Sequence, residues 1–265
     1  MSQHLDDLLF TYGAKVRELF MDELVGIYLT GSVAFGEFFE GKGDLDFTVL
    51  LKSPMGIDKL DKIAEIHQDI SFMHKNIPLE SQYICVDNIG KSETDTQPFY
   101  TWLHDNKLLL GKHNAHAVTW FALKKHGITV AGIPADKLNI TTSVQDIKTY
   151  VKGNVATYWQ DWLNAARTAT SSKRLSALSD WGIEWCVCGI TRMYFTMMEE
   201  DVTAKGKAVE YGLEHLPEHF HKILREALRI RRGVAGKEYA SPFIRRRDML
   251  AYMEYLIALI ENMPI

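Results

Sequence analysis

Apolar residues recur at helical spacing through the first twenty positions, where Leu5, Leu8, Leu9, Tyr12, Val16, Leu19 and Phe20 define one face of an amphipathic helix. The pattern then changes period. Leu24 to Leu29 is a short apolar run that suits a buried strand and ends on Thr30-Gly31-Ser32. Residues 28–51 read as strand, tight turn, short helix, loop and strand, the second strand being the β-branched and apolar run that follows Asp44. Ser53-Pro54 and Gly56 break the chain, and Leu60, Ile63, Ile66, Ile70 and Met73 form a second helical stripe. Asn76-Ile77-Pro78 ends that stripe and a strand runs on to Val86, so the order predicts an α/β module with a short mixed sheet.

Residues 87–113 are polar and punctuated, apart from the aromatic cluster Pro98-Phe-Tyr-Thr-Trp-Leu-His104. Trp102 there either lines a substrate cleft or, with Phe99, pins a long loop onto the core. Val118–Leu123 and Ile128–Gly132 bracket Lys124-Lys125-His126-Gly127 as two elements around a tight turn. From Ser143 the texture is helical: Val144, Ile147, Tyr150, Val151, Val155, Tyr158, Trp159 and Trp162 repeat at helical intervals. After a polar break at 168–174, helices are expected over 181–198, 220–230 and 247–262. The expectation is an α+β chain in two domains, a sheet-containing domain over 1–140 and a helical bundle over 141–265.

Composition narrows this picture. At 265 residues and 46% hydrophobic content, the chain can bury sizeable cores. A formal net charge of -4 argues against a surface that serves wholly as a nucleic-acid footprint, and the runs Arg229–Arg232 and Arg245–Arg247 are too short to establish an RNA partner. No apolar run approaches the ~18 residues of a membrane span and no leader is evident, so a cytoplasmic protein is expected. Cys85, Cys186 and Cys188 lack zinc spacing and read as reduced core thiols, and the scattered histidines, His104, His113, His116 and His126 among them, carry no assigned role.

The chemistry concentrates in residues 28–51. Gly31-Ser32 after a strand allows a sharp turn whose free amides and helix start favour anionic oxygens, as a nucleoside triphosphate would supply. Twelve residues after Ser32, Asp44 and Asp46 flank Leu45, and the strand period of two sends both carboxylates to one face. Paired carboxylates beside a phosphate site suit Mg2+. Gly31-Ser32 followed by Asp44-Leu45-Asp46 resembles the signature of the nucleotidyltransferase superfamily. The resemblance implies nucleotidyl transfer and a third acid on a following strand, the position that Glu80 occupies.

In the second half, Cys186-Val-Cys-Gly-Ile-Thr-Arg-Met-Tyr-Phe-Thr-Met197, then Val202–Tyr211 and Leu216-Pro217, is similar to the C-terminal domain of streptomycin and spectinomycin adenylyltransferases. Ile128–Leu138 is similar to that family's strand and turn before the bundle. The resemblance implies that Arg192 and Lys205 contact the nucleotide's phosphates, with ATP as co-substrate in a cleft between the domains. It further implies Asp44 and Asp46 as metal ligands, joined by Glu80, which takes the proton of the acceptor hydroxyl. The expected acceptor is a small, cationic, polyhydroxylated molecule of the aminoglycoside or aminocyclitol kind, walled by Trp102 and the helix carrying Asp180 and Glu184.

Departures from the family pattern are specific. The spacer before Asp44 is one residue longer, Gly43 stands where Ser is usual, Ala204 replaces the Ser of a Ser-Lys pair, and Asp180 and Glu184 are displaced from the family's acids. Arg229-Ile-Arg-Arg-Gly233 lies near the family's nucleotide-contacting tyrosine. Two other readings remain open at this point: a nucleotide-sensing or partner-binding module without transfer, and an enzyme that adenylylates a protein hydroxyl.

Overall fold

The computed structural model of the chain describes residues 3–37, 43–74, 77–103, 107–112, 114–168 and 170–265. Residues 38–42 of the spacer, Asn76, His104 and His113 lie outside the described residues. The chain divides into two compact units, Met1–Thr142 and Ser143–Ile265.

In the first unit, α1 (Gln3–Phe20) leads to β1 (Leu24–Thr30), the short α2 (Gly31–Ala34), β2 (Leu45–Leu51), α3 (Leu60–Met73) and β3 (Leu79–Cys85). There follow β4 (Phe99–Leu103), β5 (Lys107–Gly111), α4 (Ala117–His126) and β6 (Ile128–Gly132). Among the described residues, these strands form one sheet in the order β5-β4-β3-β2-β1-β6. β2 and β3 pair parallel while the other neighbours are antiparallel. The parallel pair follows from the crossover through α3, because strands joined by a helix can return in the same direction.

The sheet is buried on both faces at its centre. On one face Ile27, Leu29, Phe47, Val49 and Leu51 pack against the apolar stripes of α1 (Leu5, Leu8, Tyr12, Val16) and α3 (Ile63, Ile66, Ile70). On the other, Tyr28, Leu50 and Ile84 meet Trp120 and Leu123 of α4. Alternation along β2 therefore leaves Asp46 on the α4 face, in the same row set as Thr48 and Leu50.

The sheet is wider than the periodicity predicts. The stretch read as a punctuated loop contains β4 and β5, and its aromatic cluster is itself a strand paired to β3 through Ser81↔Trp102 and Tyr83↔Tyr100. β5 hides its identity because it is an edge strand with Leu109 and Leu110 exposed on successive positions, which erases the alternation. The two elements around Lys124–Gly127 are a helix and a strand, and His116 caps the helix by accepting from the Thr119 N–H.

The second unit is helical. A capping box of Ser143 and Asp146 starts α5 (Val144–Asn154), which runs through a π-helical turn (Val155–Trp159) into α6 (Gln160–Arg167). Then come α7 (Ser172–Ser176), inside the polar break, α8 (Asp180–Glu199), α9 (Lys205–His215), α10 (His221–Arg232) and α11 (Pro242–Glu261). Helix α8 is the axis of its core, with Ile183, Val187, Ile190, Tyr194 and Met197 buried against Leu224, Ala227, Met253 and Leu256. Gly189 on α8 admits the Trp159 ring of the π turn, which lies where a Cβ would sit, 2.3 Å away. The three cysteines form no disulfide and are buried, and burial pushes the Cys186 thiol up from its ordinary value. No described helix is long and apolar enough to cross a membrane.

Candidate active site

The site is built on the row of residues that ends the central strands. Thr30 of β1 pairs with Asp46 of β2, and Asp46 pairs with Glu80 of β3. In neighbouring strands, residues in register project to the same face, so this row places Asp46 and Glu80 side by side. Asp44, two residues earlier than Asp46, belongs to the same face. The Leu45 N–H donates to Pro78 O at 2.9 Å and fixes the entry of β2 against the entry of β3. One oxygen from each of Asp44, Asp46 and Glu80 falls within 4.8 Å of the other two. All three acids are half-buried.

Across from them, β1 turns into α2 at Gly31, whose φ of +64° lies in the left-handed region. Glycine is required there for a second reason: a Cβ would sit 1.8 Å from Asp46 Oδ2. The backbone of the turn thus approaches the carboxylate as closely as the absence of a side chain permits. Thr30 Oγ1 donates to Asp46 O at 3.1 Å and locks turn and strand together. Ser32 Oγ is buried without a hydrogen-bond partner among the described residues. A buried hydroxyl left without a partner is costly, and this one follows directly on the glycine that closes on Asp46. That set of hard oxygen donors fits a magnesium-sized cation with bound phosphate oxygens.

Trp102 does not wall an open cleft. It is 4% exposed and stacks on His67, with ring centroids 4.6 Å apart and planes inclined by 16°. The pinning role offered by its aromatic bulk is the one it takes, though from a strand. His67, one of the histidines without an assigned role, completes a buried polar chain: its Nε2 lies 2.9 Å from Tyr83 Oη, which lies 3.2 Å from Tyr12 Oη. Tyr12 donates to Ser81 Oγ at 2.8 Å. Burial pushes the His67 pKa down to about 3 and that of Tyr12 up to about 12, so both stay neutral over the ordinary pH range.

In the helical unit, Arg192 and Glu184 share one face of α8 with Trp181, Trp185 and Cys188, which follow helical spacing. Lys205, first residue of α9, is half-buried; burial lowers its pKa, and the charges of Arg192 and Arg231 lower it further. Both acids are paired with arginines, Glu184 half-buried and Asp180 exposed. Glu184 Oε1 is 3.3 Å from Arg231 Nη1. Asp180 Oδ1 accepts from Arg245 Nη1 at 2.6 Å, and Arg229 lies 4.0 Å from its other oxygen. The same Arg245 nitrogen donates to the buried Glu226 at 2.9 Å, and its other arm donates to Leu178 O at 2.7 Å. Arg231 was the residue missed by reading the sequence. Its signal was the Arg-rich run at 229–232, which carries no direction until α10 is packed against α8.

Comparison with known proteins agrees with this geometry. Residues 14–88 match the family model of the nucleotidyltransferase domain, and residues 168–257 match that of the C-terminal domain of aminoglycoside adenylyltransferase. Among solved structures, the chain is similar to the spectinomycin adenyltransferase AAD(9) from Enterococcus faecialis, determined with ATP and spectinomycin. The TM-score is 0.65 at 14% identity, over 97% of this chain and 99% of that one. At such identity the likeness is one of fold. No curated protein sequence matches the chain.

Proposed function

Since the chain carries both of these domains and so belongs to the aminoglycoside nucleotidyltransferase family, we propose that it transfers AMP from ATP to a hydroxyl of a small polyhydroxylated acceptor of the aminoglycoside or aminocyclitol class. The observation that carries this reading is the convergence of Asp44, Asp46 and Glu80 within 4.8 Å, beside the Gly31-Ser32 turn. Asp44 and Asp46, joined by Glu80, would hold Mg2+, which when bound neutralises triphosphate charge and makes the α-phosphorus more electrophilic. The turn at Gly31-Ser32 orients phosphate oxygens, with the Ser32 hydroxyl as donor. Arg192 and Lys205 supply positive charge for the remaining phosphates and for the leaving pyrophosphate.

Glu80 accepts the proton of the acceptor hydroxyl. The hydroxyl oxygen forms its new bond to the α-phosphorus as the bond from that phosphorus to the bridging oxygen breaks, and pyrophosphate departs with the bonding pair. The turn, the strand ends and the cations work by holding reactants in line, which lowers the barrier without covalent participation of the protein. Calorimetry with ATP and magnesium, followed by pyrophosphate release over a panel of acceptors, tests the proposal. Asp46→Asn should abolish metal-dependent ATP binding and turnover together, whereas Glu80→Gln should retain ATP binding and lose turnover. Full activity in either variant refutes the assignment, and binding without release under every acceptor points to a nucleotide sensor.

A further inference from the structure

The helical unit presents rings to solvent beside the expected carboxylates. Trp181 is 58% exposed and lies parallel to Trp185, with centroids 5.6 Å apart and planes inclined by 15°. The Trp185 Nε1–H donates to Tyr158 Oη at 2.9 Å, so the indole's polar atom is satisfied and its orientation is fixed. Tyr158 reaches that position from the π-helical turn Val155–Trp159, a local irregularity of the kind that re-aims side chains. Three rings thus share a platform, and the outer indole of Trp181 keeps more than half its surface open to solvent.

The charges around this platform are unfavourable to a polycation. Both nearby acids are held by arginines anchored in the packing: Arg231, 11% exposed, holds Glu184, and Arg245, 8% exposed, holds Asp180. Arg245 is fixed a second and third time through Glu226 and Leu178 O, so it cannot swing aside for a ligand's ammonium group. The ring faces are also taken as cation sites: Lys205 Nζ lies 5.1 Å from the Trp185 centroid and Lys173 Nζ 5.8 Å from that of Tyr158. An incoming ammonium group would meet carboxylates already paired with arginines and rings already bearing lysines, and like charges brought together select against such a ligand.

We propose that this platform binds the acceptor by stacking, and that the acceptor is a polyhydroxylated ring with at most one ammonium group, not a polycation. This rests on the adenylyl-transfer reading and narrows its acceptor class. The apolar C–H face of a sugar or cyclitol ring lies flat on Trp181, while its hydroxyls reach the guanidinium and ammonium donors at the rim.

Tryptophan fluorescence of the full chain with ATP and magnesium, titrated with myo-inositol, glucosamine and kanamycin, tests this without requiring turnover. The expected result is saturable quenching by myo-inositol or glucosamine, with kanamycin binding at least tenfold more weakly. Trp181→Ala should lower the affinity for the bound ring at least tenfold while leaving ATP affinity unchanged. Arg231→Gln, which releases Glu184, should improve kanamycin binding severalfold. Tighter binding of kanamycin than of the other two, quenching by none of them, or an unchanged affinity in Trp181→Ala overturns the proposal. Calorimetric ATP binding on the same samples reports separately on adenylyl transfer: its loss would sink that reading, whereas the order of ring affinities decides this one.

Discussion

Gly31→Ala isolates the contact on which the proposed nucleotide site depends. Two costs are separable in it. The first is conformational, because an alanine at φ +64° adopts the left-handed region at a cost of about 1–2 kcal/mol. The second is steric: the new Cβ would lie 1.8 Å from Asp46 Oδ2, and the carboxylate must retreat by about 1.6 Å to restore an ordinary 3.4 Å contact. A displacement of about 1 Å in a reacting constellation costs on the order of 100-fold in rate, so Gly31→Ala should lose at least that much.

Gly90→Ala is the matched control. Its φ of +79° imposes a similar conformational cost, while nothing lies within 4 Å of the added Cβ. Thermal unfolding should place the two variants within about 1 kcal/mol of each other, at roughly 2–4 °C of lost Tm per kcal/mol. ATP–magnesium binding by calorimetry, which needs no acceptor, and pyrophosphate release should then fall in Gly31→Ala alone. If Gly31→Ala keeps both within tenfold of the parent while showing the same loss of Tm as Gly90→Ala, the close approach of turn and carboxylate has no part in nucleotide binding, and the reasoning fails.

Other outcomes follow from the packing and the charges. Burial alone would raise the Glu226 pKa, but bonds from Arg229, the Glu238 N–H and Arg245 pull it down to about 2 from 4.5. Its contribution is therefore complete above pH 4.5 and is lost as pH falls toward 2; Glu226→Gln should cost about 3 kcal/mol at neutral pH and flatten that part of the acid-unfolding curve. His67, whose pKa burial lowers from 6.5 to about 3, favours the fold above pH 6.5 and opposes it increasingly below. Stability measured by urea unfolding should decline from pH 6.5 to 5 in the parent and stay flatter in His67→Gln. Gly189→Ala drives a methyl into the Trp159 ring, with contacts of 2.3 and 2.5 Å, and should cost about 1–3 kcal/mol by calorimetric unfolding.

What could be read from the chain was local or periodic. Gly31-Ser32 and Asp44-x-Asp46 are signals of spacing, and the strands and crossover helix that bring in Glu80 follow from apolar runs and the Pro54 and Pro78 breaks. Three features were beyond that reach. Edge strand β5 has no buried face to generate alternation, and its partner β4 is recognisable only once Trp102 is seen stacked on His67, 35 residues earlier in the chain. The pairing of Asp180 and Glu184 depends on arginines 65 and 47 residues away, which a one-dimensional pattern cannot orient. The π-helical turn at Val155–Trp159 keeps a helix-like sequence, and its shifted hydrogen bonding appears only when Trp159 finds room over Gly189.

The place of β6 in the sheet has a consequence for biosynthesis. β1 leads into the turn of the proposed nucleotide site and lies between β2 and β6, yet β6 is complete only at Gly132, about 100 residues after β1 ends. At ribosomal rates of about 5–20 residues per second, roughly 5–20 s pass between the emergence of the two strands. Throughout that interval Gly26 to Leu29 present backbone donors and acceptors along a hydrophobic edge that only β6 will cover. Nascent chains arrested between residues 90 and 125 should be markedly more prone to self-association, or to capture by a holding chaperone, than chains arrested after residue 160.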